Sequence, residues 1–131
     1  MYKILELNPQ IKSFSNDINL RMYLYNHTKS RLLGDKITLN DFANAHDYFG
    51  IHHLDNGWIY REWAPNAYQL YLTGEFNNWN WTEYPMNKLE NGIWELELSE
   101  DTLWNGCKIK TIVDVNETRT EHIPLYARRV T

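Results

Sequence analysis

Apolar and aromatic residues at Ile18, Met22, Tyr25, Leu32 and Leu33 recur close to the helical period, and Gly34 follows them. The spacing predicts a helix over 16–33, with Ser15 or Asn16 as its cap and Asp17 near its positive end. Its other face carries Arg21, Asn26, Lys29 and Ser30 and reads as solvated. Residues 1–14 contain Pro9 and little periodicity, so an extended lead-in is expected. Thr38-Leu39-Asn40-Asp41 has the form of a capping box, opening a short helix over 39–45.

From Tyr48 onward the period changes to two. Strands are predicted over 48–53, 58–63, 68–73, 86–89, 93–98, 108–115 and 120–123. Segment 93–98 shows the logic: Trp94, Leu96 and Leu98 share one face, Glu95 and Glu97 the other. Segment 68–73 places Tyr68, Leu70 and Leu72 on one side by the same count. Asp55-Asn56-Gly57 and Asn91-Gly92 are hairpin turns, since Asn and Gly accept positive φ cheaply, and Pro65-Asn66 marks another turn. Short strands separated by such turns predict a mainly β fold: an immunoglobulin-like antiparallel β-sandwich preceded by a short α-helical segment. The expected division is a helical leader over 1–46 and a sandwich over 47–131.

At 131 residues one modest core is possible without staples. The net charge of −4, with no basic run, argues against nucleic acid as a partner. The single cysteine, Cys107, suits a reducing, cytoplasmic setting. No apolar run follows Met1, so neither a signal peptide nor a membrane partner is expected. The five histidines and Cys107 show no metal-ligand spacing, so no metal and no cofactor are expected. The chain stops at Arg128-Arg129-Val130-Thr131 without a turn signal, which reads as a cut from something longer.

Aromatic content changes the picture most, at 15% with 6 Trp and 9 Tyr. Gly74-Glu75-Phe76-Asn77-Asn78-Trp79-Asn80-Trp81 puts two Trp and three Asn in one loop after a strand. Flat apolar faces beside amide donors and acceptors match a pyranose, which has an apolar face and an edge of hydroxyls. Burial in the core is the competing role for any single Trp.

Trp63-Ala64-Pro65-Asn66-Ala67, a strand, and Gly74 to Trp79 resemble the family 48 carbohydrate-binding module of branching enzymes, also found in the β subunit of the AMP-activated protein kinase. The likeness extends upstream to Phe49-Gly50-Ile51-His52. It extends downstream through Tyr84-Pro85-Met86, Asn91-Gly92-Ile93-Trp94, Gly106-Cys107-Lys108-Ile109-Lys110 and Ile123-Pro124-Leu125-Tyr126-Ala127. Together with the helical leader, this is most similar to the N-terminal region of eukaryotic-type 1,4-α-glucan branching enzymes. The resemblance implies an α-1,4-glucan ligand, glycogen or a maltooligosaccharide, and a catalytic barrel as the neighbouring partner. Branching catalysis needs two facing carboxylates on a barrel of at least ~250 residues, so no catalytic residue is expected in this chain. Glu95 and Glu97 form no such pair.

The same resemblance implies the site residues. Trp79 stands where the family stacks an indole on glucan, and Lys110 where glycogen binders place a lysine on sugar hydroxyls. Trp63 and Pro65, in the turn that faces the leader and barrel in branching enzymes, form a second candidate surface. Each has a structural alternative: Trp79 pinning its loop, Lys110 as a solvated strand lysine, Trp63 packing under the helix. Trp94 and Phe76 are expected in the core, and Trp58, Trp81 and Trp104 are undecided. The strongest glycogen binders carry a second stacking Trp in the next hairpin. Here that stretch is Asp114-Val115-Asn116-Glu117-Thr118-Arg119, without an aromatic, which should weaken binding by about 1–3 kcal/mol. Three rival roles follow: a regulatory glycogen-binding module, a docking domain that binds no sugar itself, and part of a debranching or other α-amylase-superfamily enzyme that shares the module.

Overall fold

The computed structural model describes residues 2–34 and 36–131. The chain divides into two compact units, Met1–Asn44 and Ala45–Thr131.

The first unit is helical from its start. Helix α1 (Lys3–Leu7) is followed by a 3-10 turn over Pro9–Phe14 that runs directly into α2 (Ser15–Leu33). The expected extended lead-in over 1–14 is therefore corrected. Proline is tolerated in the first helical turn because its missing N–H would have no partner there. Nor does Ser15 or Asn16 cap α2. Ser15 already lies inside the helix, and its hydroxyl donates to the Lys12 carbonyl. Gly34 ends α2 with a φ of 57°, a conformation glycine adopts without steric cost. Leu33 is buried and Ile18 and Met22 are half-buried, but Leu20, Tyr23, Leu24, Tyr25 and Leu32 are exposed. Exposed apolar residues thus occur around much of α2, beyond the face that the spacing predicts.

The capping box forms as expected at α3 (Leu39–Phe42): the Asp41 amide donates to Thr38 Oγ1, and the Thr38 amide donates to the Asp41 carboxylate. The helix predicted over 39–45 stops at Phe42, and a separate turn, α4 (Ala45–Tyr48), opens the second unit.

The second unit contains β1 (Gly50–Leu54), β2 (Gly57–Trp63), β3 (Gln69–Gly74), β4 (Tyr84–Pro85), β5 (Asn87–Lys88), β6 (Ile93–Leu98), β7 (Ile109–Val115) and β8 (Thr118–His122). They form two antiparallel sheets, ordered β1-β2-β6-β5 and β4-β3-β7-β8. Read as strands A-B-E-D against C-F-G, with β4 added beside C, this is the immunoglobulin-type arrangement. The strand expected over 86–89 is cut down to β5, which pairs with β6, while the two residues before buried Met86 form β4 on the other sheet, paired with β3. Strands this short have no alternation to betray the switch.

Both sheets contribute to one core. Tyr60, Trp94, Leu96 and Leu98 come from the first and Leu70 and Leu72 from the second, with Ala67, Met86 and Leu103 closing the edges. Tyr68, expected beside Leu70 and Leu72, lies before β3 and is 81% exposed. Between the sheets the Tyr60 hydroxyl donates to Glu62 Oε2 at 2.5 Å and lies 2.6 Å from Thr111 Oγ1. The same Glu62 oxygen accepts the Leu125 amide at 2.9 Å, fastening the last segment of the chain to β2. Burial, and then the Glu62 charge, push the Tyr60 phenol well above its ordinary range.

Candidate functional site

The loop after β3 is built by Asn77. Its side chain, 7% exposed, accepts from the Gly74 amide at 3.0 Å and donates to the Asn80 carbonyl at 2.8 Å. Gly74 is required because a Cβ there would lie 2.4 Å from the carbonyl oxygen of Lys108, the residue before β7. Phe76 packs on the core, edge-on to Tyr84 at 5.0 Å. The chain then turns through two left-handed residues, Asn78 (φ 52°) and Trp79 (φ 61°), and the Trp79 amide returns to the Gly74 carbonyl at 2.9 Å. Asn tolerates that region; a bulky aromatic rarely enters it, and such outliers concentrate where an orientation matters. The result presents Trp79 at 40% exposure.

Lys110 meets it there. On β7, Lys110, Ile112 and Asp114 point away from the core, and the register pairs Thr73 with Lys110, Tyr71 with Ile112 and Gln69 with Asp114. The Lys110 ammonium lies 5.8 Å from the centroid of the Trp79 ring. It also donates to Glu121 Oε2 on β8 at 2.6 Å. The structure therefore brings Trp79 and Lys110 together and adds Glu121, which sequence reasoning missed. The register Ile112 to Glu121 across β7 and β8 carries that signal, but it needs the hairpin pairing to be known.

Further along the same face, Tyr71 is half-buried and the Arg119 guanidinium lies 5.5 Å from its ring centroid. Arg119 Nε donates to Asp114 Oδ2 at 3.0 Å. Ile112, on this outward face and in register with Tyr71 and Glu121, is fully buried.

Trp63 and Pro65 lie elsewhere, at the end of the other sheet. Ala64 to Ala67 is a β-turn closed by the Ala67 amide on the Ala64 carbonyl at 3.2 Å. It rests on the Glu90–Gly92 turn: Trp63 Nε1 donates to the Asn91 carbonyl at 3.1 Å and the Ala64 amide to the Gly92 carbonyl at 2.9 Å. A Cβ on Gly92 would lie 2.6 Å from Pro65 Cα, so only glycine admits the approach. Trp63 is 54% exposed, next to an open depression lined by Leu89, Asn91 and Ile93. Two separate candidate surfaces result, not one.

The remaining tryptophans sort cleanly. Trp94 is 1% exposed and donates to the Ala64 carbonyl at 3.0 Å, a core role as expected. Trp58 is half-buried against His53, with its Nε1 on the Glu100 carbonyl at 3.2 Å. Trp81 and Trp104 are exposed. Cys107 is half-buried, and burial raises its thiol pKa. Among the described residues no three His, Cys, Asp or Glu side chains converge on a metal-sized site. Glu95 is occupied by Arg61 at 2.7 Å. None of the described helices is long and apolar enough to cross a membrane.

The family model described as "Carbohydrate-binding module 48 (Isoamylase N-terminal domain)" matches residues 48–127. The chain is 33% identical over 117 residues to a 1,4-alpha-glucan-branching enzyme of Felis catus, covering 85% of this chain and 17% of that protein. It is 38% identical over 96 residues to the chloroplastic/amyloplastic 1,4-alpha-glucan-branching enzyme of Oryza sativa subsp. japonica, covering 73% of this chain and 12% of that protein. The chain thus spans less than a fifth of the length of either relative. Among solved structures, pullulanase type I from Bacillus subtilis, complexed with maltose, superimposes with a TM-score of 0.53 at 21% identity, over 68% of this chain and 13% of that one. That likeness is one of fold.

Proposed function

This chain belongs to the carbohydrate-binding module 48 family, and from that premise we propose that it is the N-terminal glucan-binding and positioning part of a 1,4-α-glucan branching enzyme. In this reading a leader over 1–46 precedes a module over 47–131. The parent enzyme transfers α-1,4-glucan segments to 6-hydroxyls, as its relatives' name implies, with its carboxylates on a barrel beyond Thr131. A cytoplasmic setting, in keeping with the single cysteine, belongs to the same proposal.

The observation that carries the binding role is the Trp79 indole with the Lys110 ammonium 5.8 Å from its centre, on the outward face of one sheet. The indole offers a flat apolar surface to a pyranose face, and the ammonium, steered by Glu121, offers donors to the hydroxyls at its edge. Trp63 and Pro65 supply a second contact surface for the polymer. The exposed apolar residues of α2 suit the partner expected of such a fragment, its own catalytic barrel.

A docking role without sugar binding is the second reading, and those same exposed residues of α2 favour it. Titration with maltoheptaose, followed by calorimetry and Trp fluorescence, separates the two. Saturable binding that Trp79→Ala abolishes supports the module. A folded chain that shows no heat with maltoheptaose supports docking alone.

A further inference from the structure

On one face of the sheet β4-β3-β7-β8 the same grouping of side chains occurs twice. Near the loop it is Trp79, Lys110 and Glu121: an aromatic ring, a cation 5.8 Å from its centroid, and a carboxylate 2.6 Å from the cation. Toward the β7–β8 turn it is Tyr71, Arg119 and Asp114: a ring, a guanidinium at 5.5 Å, and a carboxylate 3.0 Å away. Lys110 and Asp114 are both on β7, four residues apart, so the groups are spaced by about 13 Å at ~3.3 Å per residue. That distance exceeds one sugar ring and lies within reach of a short linear chain. Ile112, which is fully buried, lies between the two groups on β7.

Building on the function just proposed, we propose that Tyr71, Arg119 and Asp114 form a second glucan subsite, continuing the Trp79–Lys110–Glu121 surface along β7. The occupant is the same linear α-glucan chain. Arg119 is its principal contact. Tyr71 beneath and Asp114 beside hold the guanidinium in place, and Nε is used by Asp114. Among the described residues its Nη groups donate no hydrogen bond to the protein, so a rigid planar fork of donors is left free. Vicinal hydroxyls on a sugar present two acceptors at a fork's spacing, and a cation already pinned in place loses little freedom on binding them. This arrangement stands where the hairpin lacks an aromatic residue, and it replaces stacking by hydrogen bonding.

The test is calorimetric titration of the whole chain with maltotriose and with maltoheptaose. In the unsubstituted chain maltoheptaose should bind about tenfold tighter, as a second set of contacts implies. Arg119→Met keeps an apolar stem over Tyr71 and removes the donors; it should abolish that advantage. Arg119→Lys should restore part of it. An undiminished advantage in Arg119→Met overturns the second subsite and leaves the module's function standing. Absence of binding by either sugar in the folded, unsubstituted chain overturns both.

Discussion

Trp94 and Trp79 each have a lysine ammonium set against the ring, at 5.2 Å from Lys88 and 5.8 Å from Lys110. Beyond that contact they differ in every respect. Trp94 is 1% exposed, its Nε1 is satisfied by the Ala64 carbonyl, and Lys88 itself donates to the Ala67 carbonyl at 3.3 Å. Here lysine and indole together close the end of the core. Trp79 is 40% exposed, stands on a strained backbone, and shares its lysine with a carboxylate on an edge strand. A cation beside an indole therefore says nothing about function by itself. What separates the two is exposure of the ring and whether its own N–H is already bonded to the protein, as it is in Trp94.

The comparison can be broken most directly at Trp94. Trp94→Ala should cost about 3–5 kcal/mol, read as a shift of the urea midpoint. A shift below ~1 kcal/mol would mean that Trp94 is not the keystone its burial indicates. Next is Glu62, whose replacement by Ala removes the acceptor of both the buried Tyr60 hydroxyl and the part-buried Leu125 amide and should cost about 1–3 kcal/mol. Glu62→Gln, which keeps an acceptor, should recover most of that loss. If Gln is as damaging as Ala, charge and not hydrogen bonding holds the segment.

The Tyr60 phenol sharpens the same point through pH. Its folded pKa is raised, by burial first and the Glu62 charge second, so the fold retains a proton that the unfolded chain loses near its usual value of about 10. Stability is therefore intact below that pH and falls above it. Urea midpoints from pH ~8 to ~11 should decline in the unsubstituted chain and flatten in Tyr60→Phe. Equal slopes would show that other groups dominate alkaline unfolding.

Trp79→Ala should change stability by less than about 1 kcal/mol, while maltoheptaose affinity falls about tenfold or more. Loss of fold together with loss of binding would erase the distinction from Trp94. The smallest effect belongs to Thr38→Val, which removes the cap of α3. Amide exchange should quicken there alone, and the second unit should be untouched. Asp41, whose carboxyl is held below its ordinary range by Thr38, gives the same cap an acid limit: its contribution is present above that range and lost as pH falls through the lowered value.

Much of this was legible in the chain, for reasons particular residues explain. β6 was read to the residue because Trp94, Leu96 and Leu98 alternate strictly with polar neighbours. α2 was placed within one residue because Gly34 ends it and its half-buried positions, Ile18 and Met22, keep the helical period. The first fourteen residues were misread because a 3-10 turn has no apolar signature and Pro9 suits either state. The division of 84–88 was hidden because the choice of sheet rests on Met86 needing a place between both. Trp79 could be singled out from its motif, but its lysine's carboxylate and the Tyr71–Arg119–Asp114 group could not. They assemble only through the β3–β7 and β7–β8 registers, which no local pattern encodes.

The Asn77 loop has a consequence in rates. Its backbone is already closed by the Gly74, Asn77 and Trp79 bonds, so the indole needs no slow ordering step before a sugar arrives. Association should then run near the limit set by diffusion and orientation, and be much alike for short and long glucans. Differences among ligands would appear as residence time. A polymer could release one grip and form the next quickly, sliding over the module while staying within its reach.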